Sequence, residues 1–224
     1  MDGYVEQALV ELEYKATNTR YYSPSRYTLP KFGSTIQYAK VNESAPLGND
    51  KINFIQRAVG NLLYYAWAVD PTMLHAINDI SLSMANGTEA TLDATMYLLN
   101  YAHTHPNTKI IYRASDMILW GDSDAAYLIA PDARSRAGGY LYMSDITGTL
   151  FNGPVSVIAK VIKNVMVSAT EAELAALFMN AQEAVALRNC LNAMKTNNNT
   201  ANGIINNTLW SKSDPRQSMS ASTG

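Results

Sequence analysis

Residues 117–129 read MILWGDSDAAYLI. Apolar and small side chains give this stretch the grammar of a strand, yet Asp122 and Asp124 interrupt it. Carboxylates are seldom placed in a sheet unless they are paired or bind a cation. The neighbouring stretches continue the same grammar. KIIYR (109–113), AGGYLYMSD (137–145) and GPVSVIAKVIKNV (153–165) are separated by turn-rich breaks, and each is expected to form a strand. Next comes SATEAELAALFMNAQEAVALRNCLNAM (168–194), the strongest helical pattern in the chain. Ser168 or Thr170 can cap it, and Glu171 and Glu173 complement the dipole of its first turns. Leu174, Leu177, Phe178, Ala181, Ala184, Val185 and Leu191 recur at the spacing of a buried face. A run of strands followed by a long helix defines an α+β class.

Upstream the pattern is helical. Residues 2–17 read as a short amphipathic helix with Asp2 as a cap, and residues 18–49 as an extended Tyr-, Ser- and Pro-rich segment. From Asp50, Ile52, Ile55, Val59, Leu62, Leu63 and Ala66 follow helical spacing. Asp70-Pro71 predicts a new helix start, since proline loses nothing at the first helical position. Asn86-Gly87 ends that helix, and Thr88 can cap a third through Leu92, Met96 and Leu99. The expected organisation is 1–49 as an extended segment with a short helix, 50–108 as a helical region, 109–210 as the strand–helix domain and 211–224 as a disordered tail.

Composition narrows the classes of partner. The 224 residues are 47% hydrophobic and 16% charged, with a formal net charge of −2, so neither nucleic acid nor an anionic membrane is advertised globally. One cysteine, Cys190, excludes an internal disulfide framework, and its place on the long helix predicts a buried, inert thiol. The opening MDGYVEQ has no apolar core of a secretory signal, and no apolar run approaches the length of a membrane span. An intracellular protein, without a membrane partner, is expected.

The order of the pieces carries more information than any one of them. VGNLLYYAWAVDPTML, YLLNYAHTHPNTKIIY, the Ser123-Asp124-Ala125 strand, ARSRAGGYLYMSD, the lysine-bearing IAKVIKNV and SATEAELAAL succeed one another over roughly residues 1–210. In this order they resemble the C-terminal part of copia-type retrotransposon polyproteins. The resemblance implies a helical reverse-transcriptase connection followed by an RNase H-like domain, here incomplete, with antiparallel strands and a long helix packed on the sheet. The Tyr-x-Asp-Asp hairpin of a polymerase palm does not occur in the sequence, so DNA synthesis by this chain alone is not expected.

An RNase H-like site cuts a phosphodiester with two Mg²⁺ ions held about 4 Å apart, and hard cations take carboxylate oxygens. Balancing two such ions calls for about four acids. The resemblance assigns the first to Asp124 and the second to Glu173, with Glu171 the weaker candidate. Asp122 falls on the same strand face as Asp124 by two-residue alternation and reads as a solvated charge. Where the family carries its third aspartate this sequence has Asn197, which keeps a carbonyl oxygen and loses the charge. The family's fourth acid lies in a further strand and helix without counterpart here, and Asp214 reads as a tail charge. Arg134, Arg136, Lys160 and Lys163 are candidate phosphate contacts, although residues 113–214 hold eight basic side chains against nine acids.

The expected function is therefore that of a retrotransposon-derived reverse transcriptase/RNase H fragment, catalytically degenerate as an isolated chain. It would hold Mg²⁺ or Mn²⁺ loosely at Asp124 and Glu173, and an RNA–DNA hybrid weakly. Two alternatives stand beside it: an active metal-dependent RNase H, and a scaffold completed by another retroelement polypeptide. His103 and His105 do not share a helix face, which argues against a metal-binding pair.

Overall fold

The computed structural model describes residues 1–26 and 42–196. They fall into two compact units divided between Ile110 and Ile111. The first is helical: α1 (Tyr4–Glu11), α2 (Asn49–Ala68), α3 (Leu74–Ser83) and α4 (Glu89–Thr104). The joints follow the sequence signals. Asp70 accepts the Thr72 N–H across Pro71 and opens a short 3₁₀ turn, Pro71–Met73, that leads into α3. Thr88 and Thr91 form the reciprocal capping box of α4. Val5, Ile55, Leu62, Met73, Ile77, Leu98 and Leu99, from all four helices and the 3₁₀ turn, are almost wholly buried together with Tyr65. Within this core Asp70 is 1% exposed and pairs with no cation among the described residues. The Thr72, Tyr101 and Thr108 hydroxyls satisfy it instead.

The second unit is an antiparallel sheet in the order β1-β2-β3 with one long helix. The elements are β1 (Ile118–Ala130), β2 (Arg134–Ser144), β3 (Pro154–Val161) and α5 (Ala169–Thr196). Register is continuous from Ile118 opposite Ser144 to Ala126 opposite Arg136, then shifts before Ala130. Between β2 and β3, Asp145 accepts four bonds from Thr147 and Thr149 and folds the connection back. Gly148 lies there at φ +68° against the Trp120 ring, where a Cβ would come within 2.7 Å. The mixture of helices with a three-stranded antiparallel sheet is α+β. Among the described residues no helix is long and apolar enough to cross a membrane.

Three expectations are corrected. KIIYR (109–113) forms no strand. Its backbone is satisfied instead by the buried Asn152 side chain, which accepts the Arg113 N–H at 2.7 Å and donates to the Arg113 carbonyl at 2.8 Å. The Gly153 N–H also reaches the Ile111 carbonyl at 3.1 Å, so one asparagine and one backbone bond stand where a neighbouring strand was expected. The buried face of α5 keeps Ala184 and the half-buried Leu191 of the expected row and otherwise differs. Ala172, Ala176, Asn180 and Ala184 are the residues held against the sheet, whereas Leu174, Phe178 and Val185 are exposed and Leu177 is 37% exposed. Apolar spacing marks two rows on this helix, and the sheet selects the row of small side chains because it meets Ala125 and Ala137, which leave little depth. Finally, Cys190 is exposed.

Candidate functional site

The acids of interest sit in the second unit. Ser168 accepts the Glu171 N–H at 3.1 Å, while the Glu171 carboxylate takes the Val167 N–H at 2.6 Å. Glu171 is thereby committed to starting α5, in a variant of the capping box. Glu173, two residues on, is half-buried. Burial raises the Glu173 carboxyl above the ordinary glutamate range, the Asp124 charge adds to the rise, and the Ala125 N–H pulls the other way. The fold thus brings Asp124 near enough for its charge to act on Glu173.

The approach is across the rim of the sheet. Leu119, Ser123 and Ala125 of β1 face α5, through apolar contact or through the hydrogen bond from Asn180 to Ser123. Asp124 lies between Ser123 and Ala125, in the alternate row, and is exposed. On the opposite flank of α5, Glu183 accepts a bond from Ser156 of β3 at 3.2 Å. The Glu173 flank therefore overhangs β1, one of the two outer strands of the sheet among the described residues.

Asp122 belongs to other surroundings. It is half-buried, and its charge, after burial, helps raise the hydroxyl pKa values of Tyr140 and Tyr142. Those rings pack with Trp120 and Ile118, away from α5. Asn197 lies outside the described residues. Among those that are described, no group of three or more His, Cys, Asp or Glu side chains is arranged to hold a metal ion. Asp124 and Glu173 offer carboxylate oxygens suited to one hard cation.

The four basic candidates are dispersed in environment. Arg134 pairs with Asp132 at 3.1 Å. Arg136 is 7% exposed, and burial lowers its pKa. Lys160, opposite Ala137, and Lys163 are exposed. His105 ends α4 with its ring bonded to the Tyr21 carbonyl at 2.9 Å, a structural role.

Two residues of the site were not singled out by sequence reasoning: Asn180 and Ser123. The Asn180 amide donates to Ser123 Oγ at 3.2 Å and to the Gly138 carbonyl at 3.0 Å. The available signal was a lone polar residue at the four-residue spacing of Ala172, Ala176 and Ala184. The helical unit also holds a cavity of about 300 Å³. The charges of Arg26 and Asp93 at its wall are already paired at 2.9 Å.

An exposed strand aspartate whose charge acts on a half-buried helix glutamate across the rim of the sheet is the arrangement the second unit offers. No protein-family profile matches the chain, and no solved structure matches it. The chain is similar to a retrotransposon polyprotein. That relative is the retrovirus-related Pol polyprotein from transposon TNT 1-94 of Nicotiana tabacum, 30% identical over 134 residues, which is 60% of this chain and 10% of that protein. The chain spans about a tenth of the relative's length. The likeness supports a transposon-derived Pol fragment.

Proposed function

We propose that this chain is the connection and RNase H-like portion of a copia-type reverse transcriptase/RNase H polyprotein, with an acidic site reduced below what two-metal cleavage needs. The observation that carries the reading is the approach of Glu173 to Asp124, the two positions the resemblance assigns as first and second acids. With the amide of Asn197 in third place, the pair supplies two negative charges where two divalent ions and a phosphate ask for about four ligating acids. A single Mg²⁺ or Mn²⁺ would be held weakly, and the attacking and leaving oxygens would not both be stabilised. Hybrid would be engaged through its backbone geometry by Lys160, Lys163 and Arg134, again weakly, because Arg134 is shared with Asp132. Arg136 contributes by holding β2 rather than by meeting phosphate, since it is buried.

The test is cleavage of a labelled RNA–DNA hybrid in Mg²⁺ and in Mn²⁺, with Asp124→Asn and Glu173→Gln beside the natural sequence. The expected result is the same background rate in all three proteins, unchanged by Asn197→Asp. Metal-dependent cleavage that disappears in Asp124→Asn would replace this reading with an active RNase H.

A further inference from the structure

The sheet-facing row of α5 contains one polar residue. Asn180 is 2% exposed between Ala176 and Ala184, and its Oδ1 is buried without a hydrogen-bond partner. An alanine there would match the rest of the row and leave no carbonyl unsatisfied, so the amide needs an explanation. Its Nδ2 provides one. That nitrogen has three acceptors within reach of its two hydrogens: Ser123 Oγ, the Gly138 carbonyl and, within the helix, the Ala176 carbonyl at 2.9 Å. These acceptors also settle which amide atom is which, because two of the three are carbonyls and demand a donor. Ser123 directly precedes Asp124, and Gly138 is its cross-strand partner. One side chain on the helix therefore grips the sheet at the residue before the first acid and at the residue across the ladder from it.

The same residue stands seven positions after Glu173, two helical turns along nearly the same side of α5. Sliding or turning the helix would move Glu173 and break the Asn180 contacts together. The sheet is shaped for the amide. A Cβ on Gly139 would come within 1.8 Å of Asn180 Oδ1, whereas a Cβ on Gly138 meets only the Asp124 carbonyl at an ordinary 3.6 Å. Ala172, Ala176 and Ala184 offer smooth contact and little to define register; a directional bond does.

We infer that Asn180 is the positioning residue of the Asp124–Glu173 pair, fixing the register of α5 on β1 and β2 through an amide seated over Gly139. This rests on the proposed function only in treating that pair as the site.

The experiment reads communication between the two elements in the full chain by NMR. Glu173→Gln is made in several backgrounds, and the resulting shift of the Asp124 and Ala125 amide resonances is recorded. In the natural background the shift is present. It is retained with Met179→Ala, which opens a cavity in the apolar cluster under α5, and with Gly138→Ala. It is lost with Asn180→Ala and with Gly139→Ala, so the inference stays testable if either variant fails to fold. The Gly139→Ala/Asn180→Ala double variant is more stable than Gly139→Ala, because the collision is gone, yet still lacks the response. A response that persists in Asn180→Ala, that vanishes equally in Met179→Ala, or that returns in the double variant would overturn the inference. Hybrid cleavage by the natural chain would overturn the proposed degeneracy and leave this result intact.

Discussion

The two units bury their residues by different logic. In the helical unit large side chains close on one another: Ile55, Leu62, Leu98 and Leu99 are at most 1% exposed, with Tyr65 beside them. In the sheet unit the fully buried apolar residues of α5 are alanines, flanked by half-buried Met179, Leu187 and Leu191, while Leu174 at 65% and Phe178 at 61% exposure face outward. The helical unit completes its own core, while α5 is half used. Hydrophobicity alone therefore does not say which residues hold a domain together; depth of the facing surface decides.

The largest effect that would sharpen this contrast is expected from Leu62→Ala. It should cost the helical unit about 2–5 kcal/mol, since the deletion leaves a cavity in a packed core. Denaturant titration followed by the amides of each unit separately is the appropriate measurement, because a two-unit chain need not unfold in one step. Next, Ala176→Leu should cost the sheet unit about 1–3 kcal/mol by overpacking. Phe178→Ser, though it deletes a far larger apolar group, should change its stability by less than about 0.5 kcal/mol. The reverse ranking of that pair would mean that the outer row, not the alanine row, is the buried one.

The smallest expected effect concerns charge. Glu173 has a folded-state pKa raised above its ordinary value of 4.5, chiefly by burial and then by Asp124. The unfolded chain therefore loses this proton at lower pH than the folded chain does. The folded state binds more protons between the two pKa values, so stability falls as pH rises through that window and stays reduced above it. Glu173→Gln should raise the stability of the sheet unit slightly at pH 7 and make no difference well below 4.5, read from urea midpoints at both pH values. A gain of equal size at both would trace the effect to packing instead of charge.

Much of the fold was legible because it is written locally. Asp70-Pro71, Thr88 and Ser168 each cap the element they were expected to cap, since a side-chain oxygen meeting an N–H two or three residues away requires no distant partner. The strands at 118, 134 and 154 begin within three residues of their expected starts, set by turn chemistry on either side. KIIYR was misjudged because a strand is defined by its neighbour. At Arg113 the neighbour is a single side chain, Asn152, 39 residues away in sequence.

The acidic pair divides the same way. The order of motifs proposes Asp124 and Glu173 and ranks Glu171 lower, and the bond from the Val167 N–H to Glu171 adds the reason that Glu171 is occupied at the helix start. Sequence by itself determined the helix caps, the strand grammar and the α+β class, all governed by contacts a few residues apart. Tertiary structure alone decided which row of α5 meets the sheet, how Glu173 comes to Asp124 across the edge of β1, and why one asparagine sits among alanines. Those outcomes depend on how closely two surfaces can approach, and shape complementarity between distant segments has no periodic signature in a single chain.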